Sequence, residues 1–164
     1  MEKLFNKDFG VSENDSQLRE ILENNPAYHS AYLRISCDPN KKIIKQRLED
    51  FWTNYQDYAD RNFLEEIRRN FFHQRAWEMY VANVSLDKGL SLVSRKTRGN
   101  EGPDIKIKTE NKDIWIEAVA PTGGKGADAV PPTAYGEVMN TPEEEWLLRA
   151  TTSIDEKKKH IIDG

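Results

Sequence analysis

Residues 102–108 read GPDIKIK, and after a short polar turn residues 114–119 read IWIEAV. In both runs isoleucine recurs at every second position, which is typical of a strand with one buried face. The polar residues 109–113 between them predict a turn. The sequence therefore predicts a β-hairpin at this point of the chain.

The hairpin carries an acid in each strand, Asp104 and Glu117. A two-residue loop at residues 110–111 places the acids directly opposite each other, and a loop at residues 111–112 places them about one diagonal step apart. Either register puts both carboxylates on one face, with Cβ atoms roughly 5–8 Å apart. Two carboxylates this close repel each other, so the pattern predicts a site for a divalent cation.

The order of Pro103-Asp104, a strand, a turn and Glu117 resembles the active-site motif of the PD-(D/E)XK nuclease superfamily. The resemblance covers roughly residues 71–164 and includes Glu78 on the preceding helix. It implies an α+β (α/β) protein with a restriction-endonuclease-like mixed β-sheet flanked by helices. It further implies a metal-dependent nuclease that hydrolyses DNA, with Glu78, Asp104 and Glu117 as catalytic acids that hold Mg²⁺ or Mn²⁺. Val119 stands where the family commonly has lysine.

Glu78 is unusual in its own segment, because the helix predicted around residues 71–81 is apolar around much of its circumference. One interpretation is that its carboxylate pairs with Arg75 or reaches solvent. The other is that it binds the metal or orients the acids beside it, which would compensate for the cost of burying a charge.

Lys157 and Lys158 are the candidates for the missing motif lysine. Thr141-Pro142 predicts the start of a helix that runs to about Ile162. On a helical projection both lysines fall within or at the edge of the apolar stripe. A lysine there most often extends to the rim, but a helix packed beside Glu117 could deliver its ammonium to the catalytic site.

Two regions are expected along the chain. Residues 1–68 predict several helices that pack on the core, and residues 69–164 predict a nuclease-like αβββα core. Because the fold that the chain resembles continues into another strand after its last helix, we expect the core to be incomplete at Gly164. A homodimer or further domains beyond Gly164 would complete it.

Composition favours a cytoplasmic protein. No apolar run approaches a membrane span, the N-terminus lacks the apolar segment of a signal peptide, and the one cysteine, Cys37, excludes an internal disulfide. The net charge of −4 counts against a broadly basic DNA-binding surface. Arg95, Lys96 and Arg98 nevertheless precede the Asp104 strand, and Lys106 and Lys108 share the face of Asp104. These residues predict local positive charge near the candidate site.

An alternative function stays open. The chain could be a catalytically inactive nuclease-fold module that binds nucleic acid or protein, and both Val119 and the acidic net charge favour it. In a further interpretation the chain is a helical interaction protein with surface acids, which does not explain the apolar surroundings of Glu78.

Overall fold

The computed structural model describes residues 2–98, 102–121, 129–130 and 143–162; the side chains of residues 145, 157 and 159–162 lie outside the description. Within these ranges the chain is mostly helical with a small sheet, and so is broadly α+β. In chain order the elements are α1 (Asp15–Asn24), α2 (Ser30–Cys37), a 3₁₀ turn (Pro39–Lys41), α3 (Lys42–Tyr55), α4 (Phe63–Arg68), α5 (Phe72–Asp87), β1 (Ser91–Leu92), α6 (Arg95–Arg98), β2 (Ile105–Lys108), β3 (Asp113–Ile116) and α7 (Glu143–Ile162).

The first four helices confirm the helical N-terminal region. Helix α1 follows Asn14, whose side-chain oxygen accepts the N–H of Gln17 (3.0 Å) as an N-cap. Helix α2 ends at Cys37, directly before Asp38-Pro39, because the residue before a proline disfavours the helical conformation. Helices α3 and α4 follow, as the helical spacing of apolar residues predicts.

Helix α5 extends beyond its predicted end at residue 81 to Asp87. Its buried face follows helical spacing and includes Arg75, Glu78, Met79, Ala82 and Asn83. The buried Asn83 amide group donates to the main-chain oxygens of Phe51 (3.0 Å) and Met79 (2.8 Å). An unusually polar buried face is therefore hydrogen-bonded to its surroundings, which keeps the cost of burial low.

The three described strands form an antiparallel sheet in the order β1-β2-β3. Strand β2 pairs with β3 through Ile105 opposite Ile116 and Lys108 opposite Asp113. This register confirms the predicted hairpin and selects the loop at residues 110–111. The mixed sheet expected from the resemblance is not seen among the described strands, all of which are antiparallel.

The sequence predicts a strand over residues 90–94 and a polar loop over residues 96–101, and the structure differs from both. Strand β1 contains only Ser91–Leu92, and residues 95–98 form the short helix α6. Ser94 accounts for the change, because its hydroxyl accepts the N–H of Lys96 (3.2 Å) and its carbonyl accepts the N–H of Thr97 (3.1 Å). These bonds start a helical turn where the strand was expected to continue.

One hydrophobic core joins the helices to the hairpin. Trp52 of α3 stacks on Phe63 of α4 with ring centroids 5.3 Å apart, and Tyr55 meets the same ring at the same distance. Ile105 and Ile107 of β2 belong to this cluster and are almost fully buried. Burying an apolar side chain of this kind contributes about 1.5–3 kcal/mol, so the isoleucines fix the hairpin to the helical body.

The chain forms two compact units, Met1–Ala118 and Val119–Gly164. The first contains the core and the hairpin. The described part of the second contains α7, on which Trp146 and Leu147 are exposed. The expected boundary between residues 68 and 69 stays a prediction. None of the helices in the described ranges has the length and apolar character needed to cross a membrane.

Candidate functional site

Asp104 and Glu117 lie at the open end of the hairpin, one residue beyond the last paired positions of β2 and β3. The Asp104 main-chain N–H donates to Glu117 Oε2 (3.2 Å), and the Ala118 N–H donates to Asp104 Oδ2 (2.9 Å). Asp104 is 7% exposed. The hairpin register thus brings the two predicted acids together as neighbours.

Glu78 on helix α5 is completely buried and lies close enough to Asp104 for the two carboxylates to interact electrostatically. Its Oε1 accepts the Tyr55 hydroxyl (2.5 Å) and its Oε2 accepts Arg75 Nη1 (2.6 Å). Burial raises the pKa of Glu78 to about 7, with Arg75 opposing the shift and Asp104 adding to it. Both carboxylate oxygens are therefore engaged by protein groups, and the predicted pairing with Arg75 is present.

Arg75 links the buried acids of the helical body to the hairpin. Its guanidinium contacts Asp60 (3.2 Å), Glu66 and Glu78, and Nη1 lies 4.0 Å from Asp104 Oδ1. Burial disfavours the charge, but these surrounding acids leave the pKa of Arg75 raised. Arg75 therefore stays charged, and it compensates acids that would otherwise repel one another.

Arg95 of α6 forms the second link. Its Nη2 lies 3.0 Å from Asp104 Oδ1, its Nη1 lies 3.5 Å from Asp60 Oδ2, and its Nε donates to the Asp104 carbonyl (3.2 Å). Burial raises the pKa of Asp104 and Glu117 adds to the shift, whereas the Ala118 N–H and Arg95 oppose it. Arg98 also donates to the Asp104 carbonyl, at 2.7 Å. The local positive charge expected near Asp104 is thus supplied by arginines.

The donor set suits a cation bound through two carboxylates. Each oxygen of Asp104 accepts one hydrogen bond and keeps a further lone pair, and Glu117 is half-buried rather than enclosed. In the part of the chain that is described, no group of three or more His, Cys, Asp or Glu side chains is arranged to hold a metal. A hard cation such as Mg²⁺ commonly uses only one or two carboxylates and fills its shell with water and substrate phosphate. Asp104 and Glu117 fit that mode, whereas Glu78 fits an orienting role better than direct ligation.

No family model, curated protein or solved structure matches the chain. The resemblance to the PD-(D/E)XK nucleases rests on Glu78, Pro103-Asp104 and Glu117.

The two candidate lysines lie in helix α7. The Lys158 side chain is exposed, and the Lys157 side chain lies outside the described residues, as do Thr141 and Pro142 at the predicted helix start. The assignment of either lysine to the site stays a prediction.

Sequence reasoning missed Tyr55 and Asp60 as parts of the centre. Tyr55 lies on an apolar helix face, where an aromatic residue indicates only core packing. Asp60 accepts the Asn62 N–H (2.8 Å), so its local pattern indicates a turn. Arg75 did carry a signal, because it precedes Glu78 by one helical turn.

Proposed function

We propose that this chain is a metal-dependent nuclease of the PD-(D/E)XK type that hydrolyses DNA phosphodiester bonds at Asp104 and Glu117. The observation that carries the proposal is the hairpin register, which makes the two acids neighbours at the end of one face. A restriction-endonuclease-like core is the fold we propose around them.

Asp104 and Glu117 would hold Mg²⁺ or Mn²⁺. When bound, the ion would supply Lewis-acid polarisation of the scissile phosphate and a water of lowered pKa. Arg95 holds the Asp104 carboxylate in place through Oδ1, and the Ala118 N–H holds it through Oδ2. A carboxylate ligand that is fixed in this way would hold the metal, and through it the phosphate, in a defined position.

We propose that Lys157 or Lys158 stabilises the developing charge in place of the residue missing at Val119. Lys159 serves as the matched control, because a helical projection of the sequence puts it outside the apolar stripe. Groups of this kind typically supply about 10²–10³-fold in rate.

A second candidate function is a non-catalytic nucleic-acid-binding or protein-binding module with the same fold. The observation that favours it is charge compensation, since Arg75 already pairs with Glu78 and Arg95 already contacts Asp104. A centre balanced by arginines needs a cation less than a bare cluster of acids does.

Titration calorimetry with Mg²⁺ and Mn²⁺ tests the metal site. We expect Asp104→Ala and Glu117→Gln to lose binding, because removing one of two anionic ligands leaves a hard cation under-coordinated. Glu117→Gln keeps the test valid if Asp104→Ala does not fold, because Glu117 is half-buried whereas Asp104 is buried. Asp87→Ala, an exposed acid at the end of α5, is the control and should bind as the wild type does. Equal affinity in all four proteins would refute the site.

Cleavage of plasmid and single-stranded DNA with the same metals tests catalysis. Asp104→Ala should abolish cleavage, and either Lys157→Met or Lys158→Met should cost far more activity than Lys159→Met. A wild-type protein that binds DNA but cleaves no nucleic acid with either metal would replace the nuclease with the binding module.

A further inference from the structure

A tryptophan lies exposed beside the acidic pair. Trp115 of β3 is 44% exposed and pairs directly with Lys106 of β2. Asp104 and Glu117 lie two residues further along these strands, so alternation places them on the same face, about 7 Å away. A ligand held at the carboxylates can therefore reach the indole ring.

The ring is held by its neighbours. The Arg98 guanidinium carbon lies 5.1 Å from a Trp115 ring centroid and the Lys106 ammonium lies 4.8 Å from it. Gly102 packs so closely that a Cβ added there would lie 3.0 Å from Trp115 Cζ3. The backbone of Gly102 has φ +81°, which a glycine adopts without strain. An exposed aromatic ring is thus fixed in orientation, which lowers the entropy lost on stacking a ligand against it.

Basic side chains lie against the indole although the chain as a whole is acidic. Arg98 and Lys106 lie over the indole, and the exposed Lys108 follows on the same face of β2. The acids of this face are Asp113, 2.6 Å from the Lys106 ammonium, and the pair Asp104 and Glu117. The chain as a whole carries a net charge of −4. Positive charge around an aromatic ring complements a phosphate backbone whose bases are free to stack.

We propose that the face formed by Arg98, Lys106, Lys108 and Trp115 binds a single-stranded segment of nucleic acid, with one unpaired base stacked on Trp115. The inference rests on the proposed function and narrows its substrate, because a base inside a duplex is already stacked and cannot use the ring. Lys106 has a flexible stem and moves from the indole to a phosphate as the base arrives. Arg98 stays against the ring, because its guanidinium also donates to the Pro103 and Asp104 carbonyls (2.8 and 2.7 Å).

The test is fluorescence anisotropy of a labelled thymidine 12-mer and a 12-base-pair duplex, titrated with the whole chain in EDTA. We expect the single strand to bind more tightly than the duplex. Trp115→Ala should weaken single-strand binding by about tenfold, within the range found for base-aromatic stacking. Trp115→Phe keeps a ring and should lose less. Lys106→Gln should weaken binding and reduce the salt dependence by about one phosphate contact.

The controls are an exposed tryptophan and an exposed lysine elsewhere. Trp77 on α5 is 48% exposed and Lys88 is exposed, so Trp77→Ala and Lys88→Gln should bind as the wild type does. Quenching of tryptophan fluorescence by the 12-mer should be lost in Trp115→Phe, which keeps the proposal testable if Trp115→Ala is unstable. Unchanged affinity in both Trp115 variants, or equal loss in Trp77→Ala, overturns it.

Because binding is measured in EDTA, the test of the stacking face is independent of metal-dependent cleavage. Metal-dependent cleavage with single-strand binding unaffected by the Trp115 variants would overturn the stacking face and leave the nuclease. Binding that requires Trp115, in a protein that cleaves nothing, would support the face and overturn the nuclease.

Discussion

Replacing Glu78 with Gln tests whether burial or ion pairing governs the central carboxyl. Burial raises the pKa of Glu78 from its ordinary 4.5 to about 7, although Arg75 and the Tyr55 hydroxyl oppose the shift. Arg75 keeps its charge throughout, because its own pKa is raised. Glu78 is therefore the member of the pair that takes up a proton near neutral pH.

The direction of the pH dependence follows from the number of protons that Glu78 binds in the folded and in the unfolded state. Between pH 4.5 and about 7 the folded protein holds a proton at Glu78 that the unfolded chain has released. The free energy of unfolding therefore falls as the pH rises, by about 1.4 kcal/mol per pH unit in this window. Across the whole window the contribution of Glu78 amounts to about 3 kcal/mol, present at low pH and lost above pH 7.

The assay is urea unfolding of wild type and Glu78→Gln in EDTA at pH 5, 6, 7 and 8, followed by tryptophan fluorescence. Gln cannot titrate, so the difference in unfolding free energy between the two proteins isolates Glu78. We expect this difference to favour the wild type by about 2.5 kcal/mol more at pH 5 than at pH 8.

Glu65→Gln is the control. The Glu65 side chain is 67% exposed and lies 3.6 Å from Arg69, so its difference from wild type should change little with pH. The difference in unfolding free energy between wild type and Glu78→Gln could instead stay constant with pH, or favour the wild type more at pH 8. Either result would show that the ion pair with Arg75 outweighs burial and would refute the reasoning.

Two further variants probe the packing around the site. Gly102→Ala should cost about 2–3 kcal/mol of unfolding free energy, since the left-handed backbone and the contact with Trp115 both oppose a Cβ, whereas Gly89→Ala, with φ +73° and open space, should cost about 1 kcal/mol. Equal costs in urea unfolding would contradict the close approach to the ring. Tyr55→Phe removes the hydroxyl donated to Glu78 at 2.5 Å and should lower the unfolding free energy at pH 8 by about 1.5–3 kcal/mol. A loss below about 0.5 kcal/mol at that pH would contradict the hydrogen bond.

Local patterns predicted those parts of the fold that local physics determines. The hairpin and the shared face of its two acids followed from strand alternation, whereas the choice between the two possible loops was made only by the structure. The helical turn after Ser94 was missed because one hydroxyl decides between strand and turn. The common face of Asp104 and Glu117 could be anticipated because strand alternation is strictly periodic.

The ion pairs around the site could not be predicted in the same way. Asp60 and Arg95 are far apart in sequence, and their meeting depends on how α6 turns back toward the helices. A long arginine side chain reaches several partners, so spacing along the chain does not select among them. The acids of the candidate site were therefore foreseeable, whereas most of their counter-charges were not.

The arginine links have a consequence for how the first unit unfolds. Asp60, Arg75, Arg95 and Asp104 come from four separate segments, and each charge is balanced by a side chain from a different one. If the hairpin alone were released, Arg75 and Arg95 would lose the negative charge of Asp104 while they stayed buried in the helical body. Leaving buried charges without this partner would cost several kcal/mol. Partial opening is therefore penalised, and we expect the helices and the hairpin of the first unit to exchange their amide protons as a single cooperative unit.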